Sequence, residues 1–488
     1  MVQVLGPIRF LVLLWIPTFT ASQQHQVHVT VSTDSVVHEV DDMFVGVTID
    51  SYILRAGFER HHLSSPNLQK LVKELVPSYL RVGGTSADHV VFDPHATQHS
   101  SNAASPFKLL AEDWDILNKF VHNTGVKLIF DLNILLRKQG KWDPSNAELL
   151  LKYSSQKGYH IAGFELGNEP NVFHHNANIT LSDAQLANDF AQLKRVLQGT
   201  SYKSSLIVGP DVTVTHASGV KGFLSHGGAS AVDVVSFHHY YVNGETSKVS
   251  DFSHPATLDS LVGLVKSAIA AVHAVAPGKP VWLGETASAY KGGTPNASDR
   301  YASGFLWLDK LGVSARYGIK GVLRQVLLGG KNGLISSSND PLPDFWLTVL
   351  YKRLVGNKVF DVHSSTKNLR IYAHCIKHTN MYNYKPGSVT VYVLNVNTAS
   401  AQLHFPHLHS QHHMDVFWLT PDWGNVEAGK VHLNGKLLTF VNSQIPQLSP
   451  KTVTTGSVTA PGKSFGFIVM PDANVAACKS QSHGPIIG

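Results

Sequence analysis

The sequence predicts an α/β protein, a (β/α)8 TIM barrel followed by a C-terminal β-sandwich. Two observations carry this. From about residue 44 to 355 a short apolar run, a polar loop and a helix-length amphipathic stretch recur, and there are eight such runs. Beyond Lys358 that period gives way to short alternating runs separated by Gly, Pro, Asn and Ser, the rhythm of a sandwich. Eight strand–helix units in one domain favour a closed barrel, and no G-x-G-x-x-G follows the first run, which counts against a dinucleotide-binding sheet.

In chain order, residues 1–22 read as a signal peptide: Arg9, an apolar stretch over 10–16, then Thr20, Ala21 and Ser22. Residues 23–40 carry an alternating strand around Val27 and Val31. The barrel segment, 41–357, has its apolar runs at 44–49, 79–82, 127–132, 161–166, 206–208, 232–237, 281–283 and 321–327. Helices are expected at 64–75, 146–157, 182–197 and 258–275. The sandwich segment, 358–488, has strands expected at 370–373, 389–396, 402–405, 436–441 and 464–470.

The leader implies a secreted, extracellular chain, expected to be a monomer. Cys375 and Cys478 are the two cysteines and read as one disulfide closing a long loop. Asn178 and Asn296 open glycosylation sequons. No later stretch reaches about 18 uninterrupted apolar residues, so no membrane span is expected. Charged residues are 15% of the chain and the net charge is +6, too sparse for a nucleic-acid binder, which needs dense Lys/Arg contacts to phosphate. The 28 histidines would make the protein far more cationic in acid and attractive to an anionic polymer. His404, His407, His409, His412 and His413 crowd one loop, but their spacing fits no standard zinc motif; a solvated loop and no metal are expected.

Barrel enzymes place their chemistry at the C-terminal ends of the strands. Those ends carry Asp50, Arg81 to Thr85, Asn133, Asn168 with Glu169, Asp211, His238 to Tyr240, Glu285, and Arg324 with Gln325, polar where the strand bodies are apolar. Glu169 follows the fourth run and Glu285 ends the seventh. They would face each other across the barrel mouth, supplying the two carboxyl groups that glycoside hydrolysis needs, with no cofactor.

The stretches Tyr79-Leu-Arg-Val-Gly-Gly-Thr85, Glu165-Leu-Gly-Asn-Glu-Pro-Asn171, His238-His-Tyr-Tyr241, Val281-Trp-Leu-Gly-Glu-Thr286, Trp307-Leu-Asp-Lys-Leu311, Asp340-Pro-Leu-Pro-Asp344 and Val475-Ala-Ala-Cys478 resemble the heparanase-like endo-β-glucuronidases of glycoside hydrolase family 79. The resemblance runs from near residue 45 to the C-terminus. It implies a retaining mechanism with Glu169 as general acid/base, Glu285 as nucleophile and Asn168 on the sugar 2-hydroxyl. It implies that Asp50, Thr85, His238, Tyr240 and Gln325 line the glucuronate subsite or support the nucleophile, with Tyr240 donating to Glu285. It also implies a Cys375–Cys478 disulfide and an N-terminal strand near Val27 that completes the sandwich.

Departures from the family bear on the substrate. Where relatives that cut sulfated chains carry Arg and Lys, this chain reads Val212-Thr-Val-Thr-His-Ala-Ser218; Glu245 replaces an arginine, and the 107–114 stretch ends acidic. A sulfated chain would lose charge-assisted contacts and meet repulsion. Hyaluronan, with one carboxylate per disaccharide, would not, and in this the chain resembles the leech-type hyaluronidases. In the loop 329–333 a family tyrosine is absent and Lys331 is expected to take the glucuronate carboxylate, while Tyr52 stands where the family has an amide. The alternatives are cleavage of heparan sulfate and a catalytically silent glycosaminoglycan-binding relative, the latter disfavoured because both glutamates are intact. Only a short Ser/Asn/His stretch lies between Asp93 and Phe107, where relatives carry an excised linker. Active protein is therefore expected to run as one chain on a denaturing gel; two obligatory fragments would contradict this.

Overall fold

The computed structural model describes residues 25–55, 57, 62–99, 106–213, 218–366, 369–379, 381–408 and 413–480. The expected leader, His409, His412 and parts of the 93–107 and 212–218 segments lie outside the described residues.

Eight parallel strands close into a barrel: Val45–Asp50, Tyr79–Gly83, Lys127–Leu132, Gly163–Leu166, Leu206–Thr213, Val234–Asn243, Val281–Tyr290 and Gly321–Arg324. Each overlaps one expected apolar run. The runs are continuous because helices cover the outer face while side chains fill the interior, so neither face of a strand meets water. The four expected helices form at Pro66–Lys73, Ser145–Gln156, Asp183–Gln198 and Pro255–Val275. Ser182 and Gln185 close a reciprocal capping box at the start of the third. The fourth is long and apolar enough to cross a membrane by length and composition. Its Leu258, Leu261, Val265, Ala268 and Val272 form a buried stripe, and it packs on the sixth barrel strand.

A second, twelve-stranded sheet follows. Strand Val355–Ser364 continues directly from helix Pro343–Leu354, so the change of architecture begins three residues before 358. The N-terminal strand His25–Ser32 inserts here, antiparallel to Val355–Ser364 and parallel to Ala401–His404, and thus completes this sheet. Period-2 alternation splits its faces. Val389, Val391 and Val393 enter a core with Val27, Val29, Ile468 and Trp418, while Tyr392, Leu394, Phe465 and Phe467 face the barrel core. Cys375 and Cys478 are bonded at one edge of the inner core.

One strand was not among those expected, and one expectation needs correction. Met414–Pro421 is a central strand buried on both faces, so it shows no alternation to read. The expected 436–441 strand is only Lys436–Leu437, the second arm of a hairpin with Val431–Leu433. Asn434 and Gly435, both at positive φ, make the tight turn that residues of this type favour.

The two units join along helix Ser303–Arg316, whose residues are buried from Ser303 to Ala315. Gly304 lies against the Phe465 ring and Gly312 against the Tyr372 ring, where any Cβ would overlap ring atoms. Gly304→Val is expected to destabilise the protein by about 1–3 kcal/mol, read as a lower urea midpoint at unchanged m-value.

Candidate active site

Arg81, in the second barrel strand, is fully buried. Its Nε donates to Glu165 Oε2 at 2.6 Å, Nη1 to Glu285 Oε2 at 2.8 Å, and Nη2 to Asn168 Oδ1 at 3.0 Å. Asp131 and Asp211 each bring Oδ2 to 3.9 Å from Nη2. The guanidinium lies over the backbone of Gly83, where a Cβ would come within 2.6 Å of Cζ; only glycine leaves the room.

Glu285, from the seventh strand, also accepts the Tyr240 hydroxyl on Oε1 at 2.5 Å. Burial alone would raise its pKa, but the charges of His238 and Arg81 and the two hydrogen bonds hold it below the usual carboxylate range. Glu169 sits just past the fourth strand at a φ of 55°, its N–H donating to Asp211 O at 3.0 Å. That left-handed turn brings its partly exposed carboxylate within 3.0 Å of His238 Nδ1. Burial would lower the His238 pKa, yet the charge of Glu285 and its contacts with Asp211 and Glu169 push it up to about 10. The imidazole is therefore a cation that donates to Glu169. Its stabilising contribution is complete below the unfolded value of about 6.5 and is lost as pH rises through about 10.

One ligand atom each of Glu169, His238 and Glu285 lies within 4.8 Å of the others. The spacing would suit a metal ion, but the Arg81 guanidinium and the charged His238 already supply the counter-charge, and a cation placed there would be repelled. The trio therefore reads as a carboxylate pair with its own fixed cations.

The other expected site residues divide. Asn168 is buried on Arg81 and donates its backbone N–H to Asp88. Gln325 accepts the Thr48 hydroxyl and donates to Asp50 Oδ2 at 3.0 Å. Asp50 is pushed up to about 6, chiefly by burial. Thr85 is exposed immediately after Gly84, whose backbone packs on the Asp50 carboxylate. Lys331 is exposed, in a loop packed against Gly293, which in turn packs on Gly244; the loops after strands six, seven and eight thus form one wall. On that wall Glu245 pairs with Lys291, and Tyr52, after the first strand, is half-exposed. Asn178 and Asn296 are exposed.

Two strand-end residues are structural instead. Asn133 bonds the backbone of Val90 and Leu135, and Arg324 pairs with buried Asp344 at 2.8 Å. Sequence reasoning placed Arg81 and Asp211 among the strand ends without a role and quoted Glu165 only as part of a family-like stretch. The available signal was an acidic residue inside the apolar run Phe164-Glu165-Leu166, since a buried charge needs a partner.

Residues 26–312 match the model for glycosyl hydrolase family 79, N-terminal domain. The chain is 36% identical to mouse heparanase, covering 95% of this chain and 96% of that one. It is 37% identical to the hyaluronoglucuronidase of Hirudo nipponia, covering 93% and 99%. Among solved structures, a 4-O-α-L-rhamnosyl-β-D-glucuronidase from Fusarium oxysporum superposes with a TM-score of 0.68 at 18% identity, covering 90% and 99%; at that identity the likeness is one of fold.

Tyr240→Phe removes one of the two donors on Glu285. The pH midpoint of the Glu285 titration, followed by carbon NMR of the labelled carboxyl group, is expected to rise by about 1 pH unit, the equivalent of one hydrogen bond to a charged group.

Proposed function

Since this chain belongs to glycosyl hydrolase family 79 and is a glycoside hydrolase, we propose that it is a secreted, retaining endo-β-glucuronidase that cleaves the glucuronidic linkages of hyaluronan. The observation that carries the mechanism is the carboxylate pair, with oxygens of Glu169 and Glu285 within 4.8 Å. Retaining enzymes keep their two carboxyl groups about 5–5.5 Å apart, and inverting ones about 6.5–9.5 Å to admit a water.

Glu285, held ionised by Arg81 and Tyr240, attacks the anomeric carbon. Glu169 gives its proton to the leaving glycosidic oxygen, with cationic His238 fixing the carboxyl group. Water then enters on the same face, Glu169 takes its proton, and the glucuronyl ester on Glu285 is released. Asn168, oriented by Arg81 Nη2, meets the sugar 2-hydroxyl as positive charge develops at the anomeric carbon.

The substrate reading rests on charge at the rim. The two relatives with named polymer activities are almost equally similar to this chain, so identity does not choose between their substrates. Glu245 occupies the Lys291 ammonium and adds an anion where a sulfated chain would pass. Lys331, exposed on the same wall, is the group we assign to the glucuronate carboxylate.

Purified protein incubated with hyaluronan is expected to yield glucuronate at each new reducing end, released first as the β anomer. Heparan sulfate should be cut far more slowly. An N-acetylglucosamine end, an unsaturated product or an initial α anomer would overturn the mechanism, and faster heparan sulfate cleavage the substrate. Glu169→Gln and Glu285→Gln are each expected to lower kcat by about 100-fold or more with unchanged circular dichroism.

A further inference from the structure

Around Arg81 lie buried acids, Asp88, Asp131, Glu165 and Asp211, that the mechanism above does not use. Asp131, Glu165, Asp211 and Glu285 all bring an oxygen to within 3.9 Å of Arg81. Asp88 is buried beside them on the Asn168 N–H. The cations that face this group are Arg81 and His238, the latter 3.5 Å from Asp211 Oδ1. Five ionised acids around two cations, all out of water, would carry a desolvation cost that this pairing cannot offset.

The hydrogen bonds show where a proton resolves this. Glu285 has two donors, Tyr240 and Arg81, and Asp211 Oδ1 accepts from Ser236. Glu165 Oε2 accepts from Arg81, but Glu165 Oε1, Asp211 Oδ2 and Asp131 Oδ2 are buried without a donor, and of these carboxyl groups Glu165 is the one whose other oxygen is held closest to Arg81. Both side chains sit against the same Arg81 guanidinium, and Asp211 raises the Glu165 pKa. Two acceptor oxygens cannot bond each other, and one proton between them satisfies both.

We propose that Glu165 is a neutral carboxylic acid near neutral pH, its hydroxyl donating to Asp211 Oδ2 while its carbonyl oxygen accepts from Arg81 Nε. Glu165 is then a positioning residue: it orients the guanidinium without neutralising it, and the charge of Arg81 remains available to Glu285. Burial pushes the Glu165 carboxyl well up, ahead of the opposing pull of Arg81, and Asp211 and Asp131 push the same way. Asp211 moves down, held by its contacts with His238, Arg81 and Ser236 against its own burial.

Glu165→Gln in the full chain tests this, because glutamine keeps both hydrogen bonds and carries no charge. A carboxyl group protonated only in the folded state takes up a proton on folding. Its cost grows as pH rises above the unfolded value of about 4.3. The melting temperature of the variant minus that of the wild type is therefore expected to become more positive from pH 4.5 to 8. An ionised Glu165 paired with Arg81 gives the opposite slope, and that result overturns the proposal.

The second readout rests on the glycosidase reading. The acid limb of kcat/KM is expected to stay within about 0.3 pH unit of the wild type in Glu165→Gln. A downward move of about 1 unit, from removing an anion that competed for Arg81, overturns the proposal. Glu165→Leu should lose at least about 10-fold in kcat, which Glu165→Gln restores; equal losses in both overturn the positioning role. The melting comparison needs no substrate, so it decides on Glu165 even if hyaluronan is not cleaved or the leucine variant does not fold.

Discussion

A guanidinium with no access to water is the constraint on which the active site depends. Arg81 cannot leave its charge uncompensated in the barrel interior, so carboxylates from the third, fourth, fifth and seventh strands converge on it. Its planar fork fixes where each may stand. Glu285 and Asn168 receive separate nitrogens of that fork, which couples the Glu285 carboxylate rigidly to the residue beside Glu169. Gly83 is the sequence's concession to this arrangement, leaving the guanidinium room against the backbone.

Charge then divides the labour of two chemically identical side chains. Glu285 lies between two cations and a phenol and stays ionised. Glu169 is at the rim, partly in water, with one imidazolium as its neighbour. His238 links the two halves, since its own charge is sustained by Glu285, Asp211 and Glu169.

The second sheet supports this geometry from behind. Helix Ser303–Arg316 lies between barrel and sheet, and its Lys310 is buried with the ammonium nitrogen donating to His239 O, Ala287 O and Thr286. Those atoms belong to the strands that carry Tyr240 and Glu285. Burial in that apolar setting, and Arg324 after it, push the Lys310 pKa down, while its three hydrogen bonds hold the two strands in register. The Trp307-to-Leu311 motif, legible as a family signature, thereby has a physical task.

The sequence by itself determined the eight apolar runs, because parallel strands covered on both faces leave an unmistakable continuous signature, and it marked Glu169 and Glu285 as a candidate pair, because both stand where an apolar run meets a polar end; the barrel brings them together. It missed Met414–Pro421 as a sheet strand, since burial on both faces erases alternation, and it set Asn133 and Arg324 among the polar strand ends beside Arg81 and Asp211, because a strand end looks the same whether it bonds substrate or a neighbouring loop. What only the tertiary structure decided is which charges meet. Arg81, Asp131, Glu165 and Asp211 are separated along the chain by whole strand–helix units, and electrostatic partnership depends on distance and exclusion of water, quantities that exist only once the barrel has closed.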